Sequence, residues 1–269
     1  MSDQVAGTGR HPSRSFRFSA LLLVALAGGA QAASLAWPFA FGLAPGAPVW
    51  WLQLLSLGVL AWQLDRCRTG NHWRRAAGLG WLFASIWLAG TFWWLFVSMH
   101  TYGGMPAELA GLAVAALACA LALYYAAACA AFVALAPVST TLSATVFAST
   151  WLLAELARGV WFTGFPWGAG GYAQVGALAV FASSVGVYGV GWIAAWLAYV
   201  VAGWQRQPFV VHKWSLVLLV IPFALLIALA RQTWSAGAGQ LSVTLLQGNI
   251  PQEEKLILGL PVFSGIIRE

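Results

Sequence analysis

Charge is confined to short gaps between long apolar runs, and this pattern excludes most of the folds otherwise open to a chain of 269 residues. A water-soluble core of that size needs a charged surface around it. Here only 7% of residues are charged, against roughly a quarter in soluble proteins. Hydrophobic residues make up 61% of the sequence, and mean hydropathy is +0.80. Lipid is therefore the expected solvent for most of the chain, and the expected fold is an all-α polytopic membrane helix bundle.

A crossing of about 30 Å of hydrocarbon takes about 20 apolar residues. On that ruler the sequence predicts about seven spans: Phe18–Trp37, Val49–Leu64, Ala76–Val97, Leu109–Leu135, Leu142–Leu156, Val175–Trp204 and Trp214–Ala230. Trp50, Trp51, Trp62, Trp161, Trp204 and Trp214 fall near span ends, where indole rings favour the membrane interface. Residues 10–34 can also be read as a cleaved signal peptide, with a basic start and the small-residue run Ala30-Gln31-Ala32-Ala33. The length of the apolar run favours a retained span.

The formal charge of +6 suggests nucleic acid only until the positions of the charges are read. Arg10, Arg14 and Arg17 precede the first run, Arg66, Arg68, Arg74 and Arg75 fill the gap after the second, and Arg206 and Lys213 flank the gap before the last. These are topology signals that place the N-terminus in the cytoplasm and residues after Arg231 on the periplasmic face. No nucleic acid partner is expected. Cys67, Cys119 and Cys129 form neither a disulfide framework nor a metal-ligand spacing, so no metal and no cofactor are expected.

The external loops carry more information than the spans. Between the third and fourth, Tyr102-Gly103-Gly104-Met105-Pro106 reads as a turn into a helix, with Glu108 in its first turn facing the positive end of the dipole. His100, with no other His, Asp or Glu beside it in sequence, reads as an interfacial polar residue rather than a base or ligand. At the end of the fifth span, Glu155 and Arg158 are three apart on a helix and are expected to pair. Phe165-Pro166-Trp167, flanked by Gly164 and Gly168, makes a bent aromatic loop suited either to lining a lipid-sized crevice or to plugging a gap between helices.

The Tyr102–Pro106 tag, Glu155 with Arg158-Gly159, Thr163-Gly164-Phe165-Pro166-Trp167, Trp234 after the last span, and Gln247-Gly248-Asn249-Ile250-Pro251-Gln252 occur in an order that closely resembles the bacterial apolipoprotein N-acyltransferases over nearly the whole chain. The resemblance implies a helical membrane domain followed by a periplasmic α/β nitrilase-like domain. Residues 1–17 would be a cytoplasmic tail, 18–234 the membrane domain, and 235–269 the start of the second domain, with its first strand at Val243–Gln252. It also implies residence in the bacterial inner membrane and a reaction in which a phospholipid acyl donor acylates the N-terminal diacylglyceryl-cysteine of an apolipoprotein acceptor. That chemistry would run through a cysteine thioester, with a Glu as base and a Lys stabilising the oxyanion.

Nothing after Gln252 matches those three residues. The charged groups there are Glu253, Glu254, Lys255, Arg268 and Glu269, and there is no Cys. The second domain is therefore expected to be truncated and the chain alone inactive, with no catalytic residue among these positions. The resemblance leaves substrate-binding candidates: Trp234 first, then Phe165, Pro166 and Trp167, then Tyr102. A non-catalytic membrane bundle that binds or assembles with partners is the alternative reading. Transport is disfavoured, because the spans are almost free of ionisable groups and show no internal repeat.

Overall fold

The computed structural model describes residues 14–203, together with isolated positions at 224, 228, 239 and 242–244. Among the described residues the regular structure is entirely helical: α1 (Arg14–Leu35), α2 (Trp50–Arg68), α3 (Trp73–Thr91), the short α4 (Trp93–Val97), α5 (Ala107–Leu135), α6 (Thr140–Val160) and α7 (Ala182–Gly203). The expected strand at Val243–Gln252 lies almost wholly outside the described residues. Its described members, Val243 and Thr244, are not in a strand. The seventh predicted span, Trp214–Ala230, and Trp234 also lie outside them.

Six of these helices close a ring in which α1 packs on α2, α2 on α7, α7 on α6, α6 on α5, α5 on α3, and α3 back on α1. Local sequence sets their ends. The Ala- and Leu-rich run of α5 is built from strong helix formers; it starts after Pro106 with Glu108 in its first turn, as the sequence predicts, and stops before Pro137. Phe18–Leu35, Ala107–Leu135 and Ala179–Gly203 are long and apolar enough to cross a membrane, and the bent pair Trp73–Thr91 with Trp93–Tyr102 makes a fourth.

Two predicted spans differ from the helices that form. The run predicted over Ala76–Val97 begins earlier, at Trp73, and bends by 50° near Phe92, where α3 gives way to α4 and then a π-helical turn at Ser98–Tyr102. The run predicted from Val175 starts as a helix only at Ala182. Before it the chain makes 3-10 turns at Gly170–Gln174 and Ala179–Phe181. The glycines of this segment favour irregular backbone, and buried side chains hold the first turn down, as described below.

An aromatic spine fills the ring. Trp87 of α3 stacks on Trp151 of α6 at 5.7 Å, and Tyr125 of α5 lies 4.8 Å from Trp151. Phe147 continues the line to Tyr199 of α7 at 5.7 Å, and Phe132 touches both. At the far end of this line Arg68 donates to Asp65 at 2.8 Å, to the Tyr199 hydroxyl at 3.1 Å and to the Ala136 and Pro137 carbonyls. The Tyr199 hydroxyl in turn donates to Asp65 at 3.0 Å. Arg68 is therefore more than a topology signal, since it ties α2, α7 and the α5–α6 turn together. The segment weighed as a signal peptide is part of this core: Val24, Ala27 and Gln31 of α1 are all buried.

The most extensive helix packing is between α3 and α5. A Cβ on Gly80 would stand 2.5 Å from Cys129 Sγ and 2.9 Å from the Tyr125 carbonyl oxygen, so only glycine fits without moving backbone. Overpacking of this kind costs about 1–3 kcal/mol. We predict that Gly80→Val lowers the thermal unfolding midpoint of the purified protein well below that of the parent chain. Gly78→Val, at a position with open space beside it, should leave the midpoint nearly unchanged.

Candidate functional site

The α6 C-terminus and the loop after it hold the densest buried polar chemistry in the described residues. Arg158 is fully buried although it is charged. Such a group is costly unless acceptors meet it, and here two of its three nitrogens are met while Nη2 has no partner among the described residues. Its Nε donates to the Tyr125 hydroxyl at 3.0 Å, and its Nη1 donates to two backbone carbonyls, Phe165 at 2.6 Å and Trp167 at 2.7 Å. The Phe165 amide returns a bond to the Arg158 carbonyl at 2.8 Å. Between them the chain reverses through Gly164, at φ +74°, where a Cβ would strike the Gly159 carbonyl. Phe162 also sits in the left-handed region, at φ +52°, with its ring exposed.

Glu155, one turn earlier on α6, does not bond to Arg158 as the spacing predicts. Its Oε1 accepts the backbone amide of Gly170 at 2.9 Å. The physical reason is geometric. The guanidinium is drawn towards the Phe165 and Trp167 carbonyls, and the carboxylate is turned to the 3-10 turn that packs under α7.

That turn is fixed from three sides. Gln53 of α2 donates to the Gly170 carbonyl at 2.6 Å, and Gln174 donates to Gln53 Oε1 at 2.7 Å and to the Trp50 carbonyl at 3.1 Å. Gln31 of α1 reaches the same place, fully buried, with neither amide atom hydrogen-bonded. A Cβ on Gly170 would lie 2.9 Å from Gln53 Nε2 and 3.2 Å from Glu155 Oε1, so the convergence of these side chains requires glycine.

Arg158 thus presents the aromatic loop to the outside of the bundle. Phe165 is half-buried and meets Phe92 edge-on at 4.9 Å; Pro166 is exposed; Trp167 is exposed and lies 5.5 Å from exposed Trp94. The rim therefore has two walls, the Phe165–Trp167 loop and the bent α3–α4 corner. Tyr102 is half-buried at the end of the π-helical turn that follows α4 and makes no ring contact with Phe165 or Trp167. His100 donates from Nδ1 to the Met105 carbonyl at 2.8 Å and faces Phe96, a structural use that agrees with its interfacial reading.

Sequence reasoning missed Phe92, Trp94, Gln31, Gln53 and Gln174. The glutamines did leave a signal, as polar residues inside otherwise apolar runs. The arrangement exposes aromatic rings whose loop backbone is hydrogen-bonded behind them. Among the described residues no group of three or more His, Cys, Asp or Glu could hold a metal ion.

Residues 33–200 match the family described as apolipoprotein N-acyltransferase N-terminal domain. A protein named apolipoprotein N-acyltransferase from Verminephrobacter eiseniae (strain EF01-2) is 49% identical over 247 residues, covering 86% of this chain and 44% of its own length. One of the same name from Ralstonia nicotianae is 41% identical over 212 residues, covering 77% and 39%. Another, from Pseudomonas putida, is 35% identical over 244 residues, covering 87% and 45%. The chain spans a little under half the length of the curated relatives it matches.

A bond from a charged group is worth about 1.5–3 kcal/mol, and a carbonyl left buried without a donor costs a similar amount. Arg158→Gln should therefore release the aromatic loop. We predict that backbone amide exchange at 164–169 rises at least several-fold while exchange in α2 does not change. Unchanged exchange at 164–169 would remove Arg158 from this role.

Proposed function

Since the chain belongs to the apolipoprotein N-acyltransferase family, we propose that it forms the lipid-gripping membrane domain of an enzyme that moves an acyl chain from a phospholipid to the N-terminal diacylglyceryl-cysteine of an apolipoprotein. The observation that carries this reading is the match of residues 33–200 to the N-terminal domain of that family. The aromatic rim supports it from the side of geometry. Acyl chains offer no hydrogen bonds, so a site for them is made of apolar walls whose own polar backbone is satisfied behind them, as Arg158 satisfies Phe165 and Trp167.

In this reading Phe165, Pro166 and Trp167 bear on the lipid, with Trp94 opposite, while Tyr102 lies farther along the same connection. Trp234, the remaining candidate, would sit between the last span and the second domain; its position lies outside the described residues. About seven spans, an N-terminus in the cytoplasm of the bacterial inner membrane, and a nitrilase-like segment on the periplasmic face complete the proposal. The basic gap at Arg66, Arg68, Arg74 and Arg75 supports that orientation.

The transfer chemistry would be two acyl exchanges. A thiolate attacks the phospholipid ester carbonyl, the alcohol of the lysophospholipid leaves with a proton, and the acceptor amine then displaces the thiol from the thioester. Such a thiol needs a neighbouring base and an electropositive, accessible setting. Cys67 and Cys129 are buried, and Cys119 lies within the apolar α5 helix. We therefore assign the nucleophile to none of them, and propose that these 269 residues bind lipid without transferring acyl groups.

Two measurements test this. In vesicles containing acyl-labelled phospholipid, no hydroxylamine-sensitive label should appear on the chain; label at Cys67, Cys119 or Cys129 would overturn the assignment. A phospholipid with a photoactivatable acyl chain should cross-link to the loop at 165–167 and to Trp94. The yield should fall several-fold in Trp167→Ala, and an equal yield in that variant would remove the rim from lipid binding.

A further inference from the structure

The connection between α1 and α2 is used by none of the chemistry above, yet it is closed by its own hydrogen bonds and unusual in composition. From Phe18 to Leu64 there is no Asp, Glu, Lys or Arg. Within that stretch, three prolines at 38, 45 and 48 each remove a backbone donor. The base of the loop closes on itself: the Trp37 amide donates to the Ala47 carbonyl at 2.9 Å, the Gly46 amide to the Trp37 carbonyl at 2.8 Å, and the Val49 amide to the Ser34 carbonyl at 2.8 Å. The Trp37 indole donates across the loop to the Phe41 carbonyl at 2.8 Å.

This closure holds three aromatic rings together at the surface. Phe39 stacks on Phe41 at 5.1 Å, and Trp37 meets both edge-on at 5.2 Å and 6.0 Å. Packing among themselves does not hide them: Phe39 is 48% exposed and Phe41 67%, with Leu43 at 43% beside them. The apolar surface continues down both flanking helices through exposed Leu22 and Leu26 of α1 and Trp50, Trp51 and Leu55 of α2.

We propose that the loop at 37–47 is an interfacial wedge that inserts its Phe39–Phe41 pair into the external phospholipid leaflet. The inference goes beyond acyl transfer and rests on the reading of the chain as membrane-embedded with its N-terminus in the cytoplasm. Lipid is the occupant that fits the tip. The amides of Phe39 to Ala44 and the carbonyls of Phe39, Ala40, Gly42 and Leu43 make no backbone hydrogen bond, while the Phe41 and Ala44 carbonyls are already used. The tip therefore presents unpaired backbone polar groups beside aromatic rings and carries no charge. Phospholipid phosphate and ester oxygens, with the headgroup and water at the same depth, can pair such groups just above the acyl chains. The free amides also set the depth, because backbone donors are not left unpaired in hydrocarbon. A protein partner would be met instead by the polar, hydrogen-bonding rim that surrounds protein interfaces, and from Phe18 to Leu64 no charged side chain supplies one.

The test places an environment-sensitive fluorophore by Phe41→Cys in the whole chain, reconstituted in vesicles of phosphatidylethanolamine and phosphatidylglycerol. The unsubstituted chain with its three native thiols serves as the blank. Leu153→Cys on the exposed face of α6 and Thr69→Cys in the α2–α3 turn are the controls. The label at 41 should be quenched by shallow nitroxide lipids several-fold more than the label at 69 and should be protected from aqueous iodide. Iodide quenching at 41 equal to that at 69, or protection from both quenchers as a protein contact would give, overturns the wedge. If the label at 153 also escapes nitroxide lipids, the membrane reading fails with it; if 153 is quenched and 41 is not, the wedge alone fails.

Discussion

A guanidinium cannot be left alone in a low-dielectric interior, and the fold of the outer half of this bundle follows from how Arg158 is satisfied. Its nearest carboxylate on the same helix does not do it. Two backbone carbonyls from the following loop and one tyrosine hydroxyl from α5 do. To deliver those carbonyls the chain must turn back on itself within a few residues of the α6 terminus, through left-handed backbone at Phe162 and Gly164. Once it has turned back, Phe165 packs against the Phe92 corner and Trp167 lies beside Trp94. The aromatic rim is thus a consequence of paying for one buried charge.

The same logic operates at the opposite end, where Arg68 gathers Asp65, Tyr199 and the carbonyls of the α5–α6 turn. Between the two arginines runs the aromatic spine from Trp87 to Tyr199, whose two tyrosine hydroxyls are taken up by the clusters at its ends. Charged hydrogen-bonded clusters at both ends, with close-packed rings between them, make a stiff frame. The frame positions the 165–167 loop, which is held by the Arg158 hydrogen bonds and by Phe92 and Trp94.

Much of this was legible in the residues themselves. The helical class and most helix boundaries follow from apolar run length, and the start of α5 follows from Pro106 and Glu108. The aromatic loop was found because Gly-Phe-Pro-Trp-Gly is hard to read as anything else. The Glu155–Arg158 pairing was misjudged, because helical spacing says which side chains can meet but not which acceptor wins. The start of α7 was placed too early for a related reason. Hydropathy counts Val175 to Phe181 as apolar, whereas the chain there leaves the Gly170–Gln174 turn, which is held by Gln53 and Glu155 from far off in sequence, and makes a further 3-10 turn before α7.

Periodicity and composition act locally, through the cost of exposing apolar surface or leaving charge in lipid, so the sequence by itself determined the solvent, the helical class, the basic gap between α2 and α3 and the family. The closed order of the ring, the Gly80 crossing, the Gln53–Gly170–Gln174 lock and the facing of Trp167 to Trp94 were decided only by tertiary structure. Each joins residues far apart in the chain. A hydrogen bond across such a distance depends on which partners packing brings within about 3 Å, and no local pattern encodes that choice.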